Sequence, residues 1–129
     1  MLLKETGMQS RSSKASLSNM IDYIHEVENI AEKYGLQITS LDATDVTLMV
    51  RMEIMPSVFI QIYRNVKKNK LNMALVSGNN RIYGADSEGG IPHEHPIQQP
   101  WSHIETEKEP ELEEFIFKCL RYLQERNII

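Results

Sequence analysis

The chain has 129 residues, 41% hydrophobic and 25% charged, with a formal net charge of −4 at pH 7. A chain of that length can bury a core as one domain without disulfide or metal staples, and its acidic balance argues against an ordinary basic nucleic-acid binder. It has no bilayer-length apolar run, no signal-peptide core near its start and one cysteine, Cys119, so an internal disulfide is excluded and a reducing, cytoplasmic setting is expected.

Residues 1–18 are rich in Ser, Lys and Arg and carry no apolar period. They read as a disordered or expression-derived extension, with Met20 as an alternative start, and 19–129 reads as a single domain. A helix is predicted over 18–34, where Met20, Ile24, Val27, Ala31 and Tyr34 recur at three- and four-residue steps and form one apolar stripe. Ser16 or Ser18 suits its start and Gly35 its end.

Strands follow. A short one is predicted over 36–41, then a turn at Asp42-Ala43-Thr44-Asp45. Over 45–53, Val46, Leu48, Val50 and Met52 alternate onto one face. Pro56 interrupts the chain. Beyond it Val58, Ile60 and Ile62 face one way, and Phe59, Gln61 and Tyr63 the other. A polar turn at 67–70 leads to a strand over 71–77, a tight hairpin at Gly78-Asn79-Asn80, and a last strand opening with Arg81-Ile82-Tyr83. The stretch 84–109, with Gly89-Gly90, Pro92, Pro96 and Pro100, reads as a long irregular loop.

A second helix is predicted from Pro110, with Glu109, Glu111, Glu113 and Glu114 near its start and Leu112, Phe115, Ile116, Cys119, Leu120 and Leu123 as its buried stripe. The expected fold is α+β: an antiparallel meander of about five strands with the N-terminal and C-terminal helices packed on one face. An open sheet edge makes a homodimer a natural expectation.

Charge is unevenly spread. Arg64, Lys67, Lys68, Lys70 and Arg81 follow one another without an intervening acid, and acids crowd from Asp86 onwards. The densest polar cluster spans 81–95. An extended segment there places His93 and His95 on one side. Two such rings can do three jobs. They can bind a metal, with Asp86, Glu88 or His103 as third ligand. They can be structural, tied to loop carbonyls. They can act as general acid and base in phosphodiester cleavage, with Arg81 facing developing phosphorane charge.

In that last reading Tyr63 or Tyr83 orients a sugar or stacks a base, and Lys67 and Lys68 add substrate-binding charge. A strictly alternating strand puts Arg81 and Tyr83 on one face. His25 reads as solvated, Cys119 as a buried inert thiol, and Trp101 as a loop anchor or stacking platform. The chain has no Walker phosphate loop, no strand-linked dinucleotide fingerprint and no nucleophile-elbow serine.

The run Phe59-Ile60-Gln61-Ile62-Tyr63, Met73-Ala74-Leu75-Val76, Arg81-Ile82-Tyr83, Asp86 and Pro92-His93-Glu94-His95 resembles the TumE family of toxin–antitoxin proteins. That family's pattern is a hydrophobic hairpin, an Arg–aromatic pair, an Asp and a Pro–His-rich segment, closed by an amphipathic helix, here 112–123. Ser87 stands where members often carry Asn, and the histidines are sparser than in many. The resemblance implies a small toxin paired with a helix-turn-helix antitoxin. Residue types suggest RNA as its target, cleaved without metal by His93, His95, Arg81 and Asp86. The alternatives are a non-catalytic module binding a neighbour-encoded protein and a metal-dependent hydrolase.

Overall fold

The structure is a computed structural model that describes residues 12–88, 91–97, 104–105 and 111–129. Helix α1 (Ser12–Tyr34) leads into β1 (Gln37–Ala43), β2 (Thr47–Met55), β3 (Val58–Asn65), β4 (Lys70–Ser77), β5 (Asn80–Glu88), β6 (Ile91–His95) and the two-residue β7 (Ile104–Glu105), and α2 (Leu112–Glu125) closes the chain. The strands form one sheet in sequence order, each antiparallel to the next. The fold is thus the expected α+β meander.

Several boundaries differ from the sequence reading, among them β1, which runs through Asp42 and Ala43 of the expected turn and pairs them with Met49 and Leu48. Helix α1 begins at Ser12, inside the stretch read as an extension, because turns without an apolar stripe give periodicity nothing to register. Strand β5 continues to Glu88, and β6 and β7 occupy parts of the stretch read as a loop. Gly84, Asp86, Ser87 and Pro92 are poor strand formers by propensity, and pairing with neighbours overrides them. Pro92 is tolerated because β7 pairs only with His93 and Glu94, leaving position 92 at an edge. Pro100, Trp101, His103 and Pro110 lie outside the described residues.

The tight turns carry the backbone their residues allow. Ser77 pairs with Asn80 across Gly78-Asn79, and Gly78 takes φ +64°, the left-handed region open to glycine. Met55 pairs with Val58 around Pro56-Ser57, so the proline sits in a turn that fixes its φ anyway.

One face of the sheet is the core. Leu48, Val50 and Met52 of β2, Ile60 and Ile62 of β3, Leu71, Met73 and Leu75 of β4, and Tyr83 and Ala85 of β5 are buried there. Both helices cover that face: Met20, Val27, Ile30 and Ala31 from α1, and Leu112, Phe115, Ile116, Cys119 and Leu123 from α2, join the same cluster. Each Val, Leu, Ile, Phe or Met side chain so buried contributes about 1.5–3 kcal/mol. The helices are tied end to end, since Glu113 accepts hydrogen bonds from Lys33 Nζ (2.5 Å) and Tyr34 Oη (2.8 Å). Among the described residues no helix is long and apolar enough to cross a membrane.

The other face, turned away from the helices, is polar and aromatic. Cross-strand register places Met49, Tyr63, Asn72, Asp86 and His93 in one row across β2–β6. The adjacent row holds Arg51, Gln61, Ala74, Gly84 and His95. Directly opposed residues share a face, so both rows lie on this outer surface.

Candidate functional site

Four side chains from two strands meet on the outer face. Asp86 stands opposite His93, and Gly84 opposite His95, in the β5–β6 ladder. Period two then puts Asp86, His93 and His95 on the same side. Glu94, between the histidines, faces the helices, where it accepts a hydrogen bond from Tyr83 Oη (2.6 Å) and lies 3.8 Å from Lys118 Nζ.

Arg81 reaches this side through a β-bulge. Leu75 pairs with Tyr83 while its neighbour Val76 pairs with Arg81, so Ile82 is the extra residue on β5. Ile82 packs against the core together with Tyr83. That shift corrects the expectation that Arg81 and Tyr83 share a face. Arg81 lies with the histidines. Tyr83 is buried beneath α2, its ring stacked on Phe115 at 5.2 Å between centroids. It therefore lies on the opposite side of the sheet from Arg81 and the histidines. Burial first, and the bond to Glu94 second, push its phenol far above the ordinary tyrosine range.

Gly84 makes the cluster compact. A Cβ there would lie 3.2 Å from the Met73 carbonyl oxygen and 3.3 Å from both Arg81 Cδ and His95 Cδ2. The absent side chain is the space in which the guanidinium stem and the imidazole approach each other over the strand.

The hydrogen bonds assign distinct roles to the two rings. His95 is 1% exposed. Its Nε2 lies 2.6 Å from Asp86 Oδ2, and Arg81 Nη2 lies 3.3 Å from its Nδ1. A guanidinium only donates, so Nδ1 accepts and Nε2 carries the proton given to Asp86. This assigns a neutral ring wedged between an anion and a cation. His93 is more exposed, at 27% of its side chain, and its Nδ1 faces the other Asp86 oxygen at 3.5 Å. The carboxylate therefore bridges both histidines. His93 is thus the more exposed ring and His95 the buried one.

A cleft of ≈ 410 Å³ opens here, lined by Lys70, Leu71, Asn72, Arg81, Asp86, His93 and His95. Lys70 and Asn72 are members that sequence reasoning missed. Lys70 showed only as a member of the basic run, and Asn72 had no signal short of register, which sets it opposite Asp86. Tyr63 lies one strand beyond Asn72 in the same row. Lys67 and Lys68 sit in the exposed β3–β4 turn beside Lys70, outside the cleft lining. Arg64, counted in the same basic run, faces the helices and lies over the Tyr23 ring at 4.8 Å. His25 is exposed on α1. Cys119 is fully buried, and burial pushes its thiol far above the ordinary range, which makes it a poor nucleophile.

Among the described residues no group of three or more His, Cys, Asp and Glu side chains has the arrangement of a metal site. Asp86 is already shared between two imidazoles. His103, named above as a third ligand, lies outside the described residues, as does the Glu88 side chain.

What remains is an anion-receptive, proton-handling corner. Arg81 supplies fixed positive charge, His93 an accessible ring oriented by a carboxylate, and Lys70 and Asn72 further polar contacts. No family model, curated protein or solved structure matches the chain.

Proposed function

We propose that the protein is a TumE-like toxin that cleaves RNA phosphodiesters without a metal, using the Asp86–His93–His95–Arg81 cluster. The observation that carries this reading is the Asp86 carboxylate shared between an accessible His93 and a buried His95 that in turn holds Arg81. A base beside a fixed cation is what 2′-hydroxyl attack on phosphorus needs. His93 takes the 2′-hydroxyl proton and O2′ bonds to phosphorus. The bond to the 5′-oxygen breaks, and the imidazolium returns its proton to that oxygen. The products are a 2′,3′-cyclic phosphate and a 5′-hydroxyl. Arg81 faces the charge that builds on the phosphoryl oxygens. Asp86 and His95 are positioning residues.

A helix-turn-helix antitoxin as partner, and cytoplasmic action, belong to the same proposal and rest on the sequence resemblance. Among the described residues β1 ends the sheet, and that edge is where a second copy would add. Induced expression in a bacterial host tests the whole reading. Wild type is expected to arrest growth and degrade cellular RNA, His93→Ala and Arg81→Ala to do neither, and co-expression of the neighbour-encoded protein to restore growth. Normal growth with wild type, or equal arrest with His93→Ala, contradicts it.

A second reading, a non-catalytic interaction module, is favoured by the groove between α2 and the end of β6, where Phe117 is 49% exposed beside Ile97 and Tyr122. In that case a partner complex forms and cellular RNA stays intact.

A further inference from the structure

Beyond the catalytic corner, the same outer face carries a second set of planar groups. In β2 and β3, the exposed Arg51 guanidinium lies over the half-buried Phe59 ring at 4.0 Å and donates to Gln61 Oε1 at 3.3 Å. Phe59, Gln61 and Tyr63 alternate onto this face, as their pairing with Val76, Ala74 and Asn72 requires. Tyr63 is also half-buried, its hydroxyl accepting from Asn65 Nδ2 at 3.4 Å.

These groups are continuous with the site. From Asp86 the row runs through Asn72 to Tyr63, two strands or about 9.6 Å across. The neighbouring row runs from His95 over Gly84 and Ala74 to Gln61 and Arg51. Its middle is two small residues, so a low floor separates the cluster from the Arg51–Phe59 stack.

Both layers carry mixed charge. The helices hold Asp22, Glu26, Glu28, Glu32, Glu113, Glu114 and Glu125 with Lys33, Lys118 and Arg121. On the outer face register places Asp42, Glu53, Asp86, Glu88 and Glu105 with Arg51, Lys70 and Arg81, so its positive charge is local, at Arg51, at Arg81 and at Lys67, Lys68 and Lys70 by the β3–β4 turn. An antiparallel sheet face offering rings and a guanidinium plane beside a phosphate-receptive corner fits unpaired bases and their backbone. A double helix hides its base faces and fits it poorly.

We propose that the outer face binds single-stranded RNA, with bases stacked on Tyr63 and on the Arg51–Phe59 pair, and a backbone phosphate at Arg81 and His93. This deepens the RNA reading above and rests on it for the identity of the ligand. It adds a nucleobase subsite built from Arg51 and Phe59, which no catalytic step requires.

The test is equilibrium binding of a fluorescent 2′-O-methyl oligonucleotide, which cannot be cleaved by 2′-hydroxyl attack. Tyr63→Ala, Phe59→Ala and Arg51→Ala are each expected to weaken binding by roughly 5- to 150-fold, the size of one lost base–aromatic stack. Tyr63→Phe is expected to bind like wild type. Phe59→Leu keeps apolar volume for the fold and is expected to bind as weakly as Phe59→Ala. A duplex of the same sequence is expected to bind more weakly than the single strand.

Absence of wild-type binding, wild-type affinity in folded ring variants, or equal affinity for duplex overturns the proposal. Cleavage of the unmethylated strand separates it from the catalytic reading. Ring-dependent binding without cleavage leaves this surface standing and removes the nuclease. Cleavage indifferent to Tyr63 and Phe59 does the reverse.

Discussion

At Gly84 three groups crowd into the space of one missing methyl: a backbone oxygen of β4, the Arg81 stem and the His95 ring. Gly84→Ala keeps an unstrained backbone but overpacks the contact, and the Met73 carbonyl belongs to a ladder that cannot retreat. The variant is expected to lose about 1–3 kcal/mol of stability in denaturant titration and to displace Arg81. Stability at or above wild type would mean the close approach is incidental. A glycine inside a strand pattern is a readable sign of close backbone approach. The bulge at Ile82 is not, because nothing local distinguishes Arg81-Ile82-Tyr83 from an alternating strand. Arg81, Asp86, His93 and His95 read as one polar cluster in the sequence and lie together in the structure, whereas the bulge sends Tyr83 to the opposite face. The burial of His95 has no sequence signal, since burial of a polar ring depends on what covers it.

The elements were most legible where one face is apolar. The stripe Leu112, Phe115, Ile116, Cys119, Leu123 is buried along one face of α2, and β2 and β3 bury the residues their alternation selects. Strands β5 and β6 were legible only in part, because polar residues break up their alternation and the buried residue described in β6 is His95, on the outer face. Helix α2 leans on β5 through Phe115 and Tyr83, and this junction carries a pH signature. Tyr83 has a folded-state pKa above its unfolded value, set by burial and then by Glu94. The neutral phenol therefore contributes stability that is complete below the ordinary tyrosine value of 10.0 and lost as pH rises beyond it. Cys119 is shifted in the same direction by burial. Thermal melting is expected to fall between about pH 9 and 11, and Tyr83→Phe, which keeps the ring stack, to fall less steeply. A wild-type melting temperature flat across that interval would contradict the assignment.

At the scale of the molecule, one sheet separates two tasks. Its inner face, with both helices, supplies the burial that holds the chain folded, and its outer face carries the proposed catalytic corner and the planar groups beside it. The −4 of the whole chain does not report this division, which needs the register that sets which residues share a face. Cleavage of a single-stranded RNA oligonucleotide by purified protein in excess chelator tests the catalytic corner most directly. Wild type is expected to yield 2′,3′-cyclic phosphate ends, and folded His93→Ala to be slower by roughly 10²- to 10⁴-fold, the usual contribution of a general acid–base group. No cleavage by wild type, or an unchanged rate in His93→Ala, would contradict the account.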